Sequence, residues 1–574
     1  KVLRHTVLET CDLIQPLGLT QLHRGIQSPT DTLEESVPRQ NKLSLAEIEL
    51  NEPVGTQVFV QVFGGSEAAV ATRLASLCPN GVRHKNLREA PAAAATIRKI
   101  VDSGDPKNRI DVVFMGDGYT ASEQTRFFDD IQRLTNDMFT GNTFAQYLPL
   151  FNVWAAHVPS AQSGIGVGGQ PRDTAFGLYR DGTELRGVYT TKPDVARSVC
   201  AQTGPNACDF PSLIGNDDFY GGLGGEFVIS TRSPTSGTVV LRHEMGHNFG
   251  KVGEEYDGGQ VYYGANSVSS TSAVTWKHWL TEPTKLQEQK WAQLYQKHIW
   301  YDLKQGAYNI QFTSTGAYKR YYILLSISGA DTDDSLSVTL DGKPLPWKTK
   351  GLKDRTFYTW TSSTAGFTKG SHVLQVKAGG SFNSPIIKQL CNAEISEYMG
   401  EDQFHMDDPE YIGLYPTYDI NKRKSIRPNN EKCLMRNMTS PHFCNVCQEN
   451  MWQQFMTRIS FIDDVIVTGK SVEAKLIPLG QFRPKTNGGD VEAVGLGEKY
   501  SLQWLNDGQE VVQFRDQVKI DTSRIPNPSS KWTLKVAFTT PSVRVDSKNV
   551  MKSEKSFTIG RASLDDASQN NAND

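Results

Sequence analysis

The spacing of apolar and polar positions divides the chain into stretches of different texture. In residues 1–95, an N-terminal β-rich region, only Gln57-Val-Phe-Val-Gln-Val-Phe63 alternates as a half-buried strand does. The Ala-rich stretch Ala90–Ala95 follows as a linker or helix start. Arg109-Ile-Asp-Val-Val-Phe-Met115 is then an apolar run closed by Gly116-Asp-Gly118, the pattern of a buried central strand. Thr120 and Glu123 have the spacing of a capping box, and Phe127, Phe128, Ile131, Leu134 and Met138 after them recur at helical spacing. Phe151–His157 and Glu226–Ser230 read as further strands. Strand, helix and strand in that order predict an α/β layer with a right-handed crossover.

From about Tyr308 the runs shorten. Tyr321–Ile327, Leu336–Leu340 and His372–Val376 alternate and are divided by Gly and Asp turns, with a hairpin signal at Asp341-Gly342. This predicts a β-sandwich over 308–385, inserted into an α/β domain whose two parts are 96–307 and 386–462. Residues 463–562 repeat the texture in Tyr500–Trp504, Glu510–Phe514 and Trp532–Phe538, as a C-terminal Ig-like β-sandwich would. The polar stretch 563–574 is expected to be a disordered tail. The fold class expected is therefore multidomain α+β.

Length agrees with several domains, because 574 residues exceed what one core organises, roughly 250–300 residues. Hydrophobic residues at 38% and charged residues at 21% are ordinary for a globular protein. A net charge of −3 without a long Lys/Arg run argues against nucleic-acid and anionic-membrane partners. No stretch reaches the roughly 18–20 apolar residues of a membrane span. The sequence starts at Lys1 without a charged-then-apolar leader, as a processed secreted chain would. The eight cysteines are Cys11, Cys78, Cys200, Cys208, Cys391, Cys433, Cys444 and Cys447; the even count suggests disulfides and an extracellular location. Cys200 and Cys208 are expected to close a small loop. Disulfides are expected among Cys391, Cys433, Cys444 and Cys447, with Cys444-x-x-Cys447 alternatively a redox pair or half of a structural zinc site. Asn437-Met-Thr439 is a glycosylation sequon.

The segment that carries chemistry is Leu241-Arg-His-Glu-Met-Gly-His-Asn-Phe-Gly250. His243 and His247, four apart, share one face of a helix and can fill two corners of a tetrahedral zinc site. Glu244 is placed to act on a zinc-activated water as general base. Thr235, Ser236 or Gly237 can start the helix, and Gly250 can stop it. A catalytic zinc takes three protein ligands, and Gly253-Glu-Glu-Tyr-Asp257 offers Glu254, Glu255 and Asp257 for the third. Tyr256, Tyr415 and Tyr418 are candidates for steadying an oxyanion. Glu226–Ser230 is a candidate edge for pairing with an extended substrate. Gly221-Gly-Leu-Gly-Gly225 lacks the Lys-Ser/Thr of a phosphate loop.

His243-Glu-Met-Gly-His-Asn-Phe-Gly-x-x-x-Glu-Glu-Tyr256 resembles the signature of the M64 family, the IgA-peptidase-like metallopeptidases. Ser103-Gly-Asp-Pro106, Met115-Gly-Asp-Gly-Tyr119, Cys433-Leu-Met-Arg-Asn-Met438 and Phe443-Cys-x-Val-Cys447 extend the resemblance over about Ile97 to Met456. It implies a metzincin-like α/β catalytic domain with a methionine turn, for which Met435 is the first candidate and Met438 the second. The usual third-ligand position, six residues after the second histidine, is Gly253 here, so the donor must come from a longer turn. Glu255, in the fixed part of the family pattern, is favoured over Glu254, with Asp257 supporting the turn. The implied activity is that of a secreted zinc metalloendopeptidase acting on proteins or glycoproteins. The alternative is a glycan- or protein-binding protein with an inactive peptidase domain, its sandwiches offering aromatics such as Trp347 and Trp360.

Overall fold

The computed structural model describes residues 94–380, 387–484, 497–525 and 531–559, together with three strands nearer the start of the chain. Those strands, Val2–Leu8, Leu13–Thr20 and Phe59–Gly64, form an antiparallel sheet with Val2–Leu8 in the middle. They belong to a unit separate from the one that begins at Ala94. The run read at Gln57–Phe63 is a strand from Phe59 onward. Gln57, Val58, Cys11, Cys78, most of Ala90–Ala95 and the tail 563–574 lie outside the described residues.

The second unit is built on a six-stranded sheet. Its strands are β1 (Thr96–Val101), β2 (Ile110–Asp117), β3 (Phe151–His157), β4 (Phe210–Gly215), β5 (Gly222–Leu223) and β6 (Val228–Thr231). They lie in the order β5–β6–β4–β2–β3–β1, with only the outermost strands β5 and β1 antiparallel to their neighbours. Every residue of β2 is buried because both its faces are covered. Ile110, Val112 and Phe114 face one core and Val113 and Met115 the other, which is why the sequence there is apolar without alternation. Helix α1 (Gln124–Met138) buries Phe127, Phe128, Ile131, Leu134 and Met138 in the first core. The Thr120 amide donates to Glu123 Oε2 at 3.0 Å in the predicted capping box. Helix α2 (Pro193–Ala201) lies over the second core, and the disulfide Cys200–Cys208 closes the loop after it. Helices α3 (Gly237–Gly250) and α4 (Asn445–Phe455) share the first core with α1.

The inserted module is larger than its sequence texture suggested. It has two four-stranded sheets around one core that includes Ile310, Ile323, Leu325, Val338, Leu374 and Ile395. Its strands run from Trp291 to Tyr398 instead of filling 308–385, because Trp291–Asp302 and Gln389–Tyr398 pair with each other inside one of these sheets. Trp291–Asp302 is half-buried along nearly its whole length, so it lacks the alternation that betrays a strand. The hairpin read at Asp341-Gly342 is present, with φ of 51° and 75° at the two residues. Trp347 and Trp360 are half-buried against this core, and their indole N–H groups donate to the carbonyls of Asp333 and Pro346.

The described residues between 462 and 558 form a three-stranded and a four-stranded sheet. Within the run read as a strand at Glu510–Phe514, only Glu510 is in one; Val512–Phe514 is a 3-10 turn that leaves Val512 exposed. The core of this module continues into that of α4, with the Trp452 and Phe538 rings 5.3 Å apart. Asp463 accepts from both terminal nitrogens of the buried Arg109.

The insert also reaches the helix that carries the histidines. Asp354, buried in a loop of the insert, accepts through Oδ2 from the hydroxyls of Ser233, Thr235 and Ser236 at 2.7–2.9 Å. Its Oδ1 accepts from the Tyr220 amide at 2.6 Å. These hydroxyls directly precede α3, so a carboxylate of the insert sits at the positive end of that helix. Asp354→Ala strands a set of buried donors and is expected to cost about 1.5–3 kcal/mol. Asp354→Asn, which keeps an acceptor oxygen, should recover part of the loss. Thermal unfolding of the two variants beside wild type checks this, and equal midpoints for Ala and wild type would refute the clamp.

Candidate metal centre

Helix α3 sets Leu241, Met245 and Phe249, four residues apart, into the core. His243 and His247 occupy another face, their rings edge-to-face with centroids 4.8 Å apart. Their Nε2 atoms are 3.2 Å apart. Glu254 closes the triangle, with Oε2 at 3.1 Å from His243 Nε2 and Oε1 at 3.2 Å from His247 Nε2. A tetrahedral zinc with Zn–N and Zn–O distances of about 2.0–2.2 Å has edges of about 3.3–3.5 Å between such donors, so the three fit one face of that tetrahedron. The other ring nitrogens meet carbonyls: His243 Nδ1 lies 3.2 Å from Leu434 O and His247 Nδ1 2.8 Å from Val252 O. An N–H at each Nδ1 leaves the Nε2 lone pairs turned toward the shared centre.

With only protein atoms present, the charges lean on one another. Burial would lower the His247 pKa, but the Glu254 carboxylate outweighs it and lifts it to about 9. Burial would raise Glu254, yet His247 and His243 hold it well below the ordinary carboxylate range. A cation is what such a carboxylate beside two imidazoles is arranged to share.

The third donor beside the histidines is thus Glu254 and not Glu255. After α3 the chain leaves the helix through the left-handed Lys251, and the two adjacent carboxylates meet different partners. The Gly253 and Glu254 amides bond to the carbonyls of Tyr263 and Val261, each at 2.8 Å, and the Glu255 amide to Met435 O at 2.9 Å. Glu255 is fully buried on the other side, its Oε1 accepting from Asn266 Nδ2 at 2.8 Å. Asp257 supports the turn, accepting from the Tyr418 amide and from Arg436. Gly250 is not the left-handed stop; that residue is Lys251, at φ 51°, whose amide bonds to His247 O. Gly250 is instead the last helical residue, with Met451 against it.

Two glycines allow close approach at this centre. A Cβ on Gly246 would lie 2.8 Å from Met435 Sδ, so the fully buried Met435 packs on the histidine helix between the two ligand positions. A Cβ on Gly224 would lie 2.6 Å from Glu244 Oε2, so the Glu244 carboxylate lies against the chain just after β5. Burial raises the Glu244 pKa, opposed by His243 and His247 and reinforced by Glu254.

Other sequence candidates fall elsewhere. Tyr256 is near, its ring centroid 6.1 Å from that of His243. Tyr415 is fully buried with its hydroxyl donating to His405 O at 2.8 Å, so it is not free to meet an oxyanion, and the Tyr418 ring lies tilted against Trp291 with centroids 5.8 Å apart. Tyr220 was not anticipated, because no spacing links it to the histidine motif. Burial raises its pKa first, and among its other neighbours are the charges of Glu244 and Glu254. Its hydroxyl reaches Met438 Sδ at 3.3 Å. The strand read at Glu226–Ser230 is β6, with β4 on one side and β5 on the other; the sheet edge is β5. Cys391, Cys433, Cys444 and Cys447 form no disulfide with one another. Cys391 is in the insert beside Ser328, whereas the other three gather around Glu255.

Among solved structures, a ruminal GH26 endo-β-1,4-mannanase matches with 12% identity and a TM-score of 0.12, over 16% of this chain and 18% of the mannanase. A family 35 carbohydrate binding module from Clostridium thermocellum matches with 11% identity and a TM-score of 0.11, over 16% of this chain and 68% of the module. No curated protein matches the chain. Residues 98–302, which include His243, Glu244, His247 and Glu254, match the family model described as IgA Peptidase M64.

Proposed function

We propose that the protein is a secreted zinc endopeptidase of metzincin-like design that cleaves extracellular proteins or glycoproteins. The observation that carries this reading is the convergence of His243, His247 and Glu254 within 3.1–3.2 Å of one another, with Glu244 beside them. The Cys200–Cys208 disulfide supports an oxidising location. A zinc ion held by the two imidazoles and Glu254 would supply polarisation of the scissile carbonyl and an acidified water.

The remaining steps belong to the chain's own groups. Glu244 takes a proton from the attacking water on a carboxylate oxygen and delivers it to the departing amine nitrogen. Tyr256 and Tyr220, at the rim of the same centre, are the hydroxyls available to the carbonyl oxygen as charge grows on it. The edge strand β5 offers backbone groups to an extended substrate beside Glu244. Met435 serves as the methionine turn, packed against Gly246.

Elemental analysis of wild type, His243→Ala and Glu254→Ala, with casein hydrolysis followed with and without a chelator, tests the reading. Both variants are expected to lose one zinc equivalent relative to wild type and all measurable hydrolysis, and chelation should silence the wild type. Hydrolysis that survives in either variant would overturn the assignment.

A further inference from the structure

Glu255, freed from the histidine centre, is one corner of a second cluster. Its carboxylate and the sulfurs of Cys433, Cys444 and Cys447 all lie within 4.8 Å of one another, and all four residues are buried. We propose that this cluster holds a second zinc ion in a closed site, distinct from the site of His243, His247 and Glu254.

Distances argue for it first. A tetrahedral zinc with Zn–S of about 2.3 Å and Zn–O of about 2.1 Å has S–S edges of about 3.8 Å and S–O edges of about 3.6 Å. Cys433 Sγ and Cys447 Sγ are 3.8 Å apart, and Cys447 Sγ is 3.6 Å from Glu255 Oε1. A disulfide needs about 2.0 Å. Three thiols can make only one disulfide, which would leave the third sulfur and a buried carboxylate unused, whereas one ion engages all four.

The second argument is polar satisfaction. Glu255 Oε2 is buried and has no hydrogen-bond partner, although Oε1 is oriented by Asn266 at 2.8 Å. A carboxylate oxygen sealed in a protein interior needs a cation or donors. Cys444 directly precedes α4 and Cys447 lies in its first turn, where the helix end favours thiolates. Three thiolates exclude magnesium and calcium and suit zinc. Four protein donors leave no open position, so the ion is structural.

The cluster ties together three segments that shape the histidine centre. Glu255 follows Glu254; Cys433 precedes Leu434, whose carbonyl meets His243 Nδ1, and Met435, which packs on Gly246. The ion therefore sets the position of the third ligand and of the methionine turn. It does not require the histidine centre to be a peptidase site.

The test is metal content and cobalt spectroscopy on the full chain. Wild type should bind two zinc ions, one per cluster. The His243→Ala/His247→Ala double variant should keep one, and replacing that zinc with cobalt should produce sulfur-to-cobalt charge-transfer absorption. Cys447→Ser should lose that absorption. Should Cys447→Ser fail to fold, cobalt-loaded double-histidine protein still decides the matter. A double-histidine variant with no metal, or with cobalt that shows no thiolate absorption, overturns the proposal. So does a Cys433–Cys447 disulfide found by peptide mapping under non-reducing conditions. A failed peptidase reading looks different: the thiolate-bound ion persists and casein stays intact.

Discussion

Glu244→Gln is expected to lower kcat on casein or a peptide by about 10²–10⁴-fold while leaving the zinc content unchanged. Gln has the same length and can keep the contact against Gly224, so the substitution removes the proton acceptor and little else. Metal retention follows from the donor set, in which His243, His247 and Glu254 converge and Glu244 is not included. Parallel zinc analysis and hydrolysis assays on wild type and variant decide it. A zinc-loaded Glu244→Gln protein with wild-type kcat would remove Glu244 from the proton-transfer role. Loss of zinc together with activity would instead make it a ligand.

Features set by local pattern were legible in the sequence. The apolar run of β2, the capping box before α1 and the histidines four apart on α3 depend on residues within a few positions of one another, and each is present. Features set by distant partners were not. Glu254 and Glu255 are adjacent and chemically alike, and the direction each faces is fixed by Tyr263, Val261, Asn266 and the carbonyl of Met435. The same holds for the insert, whose first and last strands pair across nearly a hundred residues and show no clean alternation of their own. Tyr220 is likewise placed by the fold, in the loop before β5 with its hydroxyl against Met438 Sδ. The same contrast divides the cysteines: Cys200 and Cys208, eight apart, pair as their spacing suggests, whereas of Cys391, Cys433, Cys444 and Cys447 three gather with a carboxylate that the motif assigns to the histidines.

Arg436→Met is expected to destabilise the protein by about 3–5 kcal/mol, the usual consequence of removing one partner from a buried ionic network. Its guanidinium is almost fully enclosed and reaches Asp257 at 2.6 Å, Glu394 at 3.0 Å and Glu431 at 3.0 Å. Asp257 belongs to the turn after Glu254, Glu394 to the insert strand Gln389–Tyr398, and Arg436 itself follows Met435. One cation therefore joins the insert, the turn after Glu254 and the segment that carries Met435. Met fills a similar volume, so the loss reads out charge more than packing. Burial raises Glu394 to about 7, with Arg436 opposing and Asp257 and Glu431 reinforcing the shift; without the guanidinium it rises further. A carboxyl with a folded pKa above its unfolded value contributes stability that is present below the unfolded pKa and lost as pH rises through the folded one. The variant should therefore recover part of its deficit as pH falls from about 8 toward about 5, where Glu394 binds its proton. Denaturant unfolding of wild type and variant at both pH values measures this. A deficit that is constant or grows on acidification would show that Arg436 acts through packing and not as the counter-charge of this network.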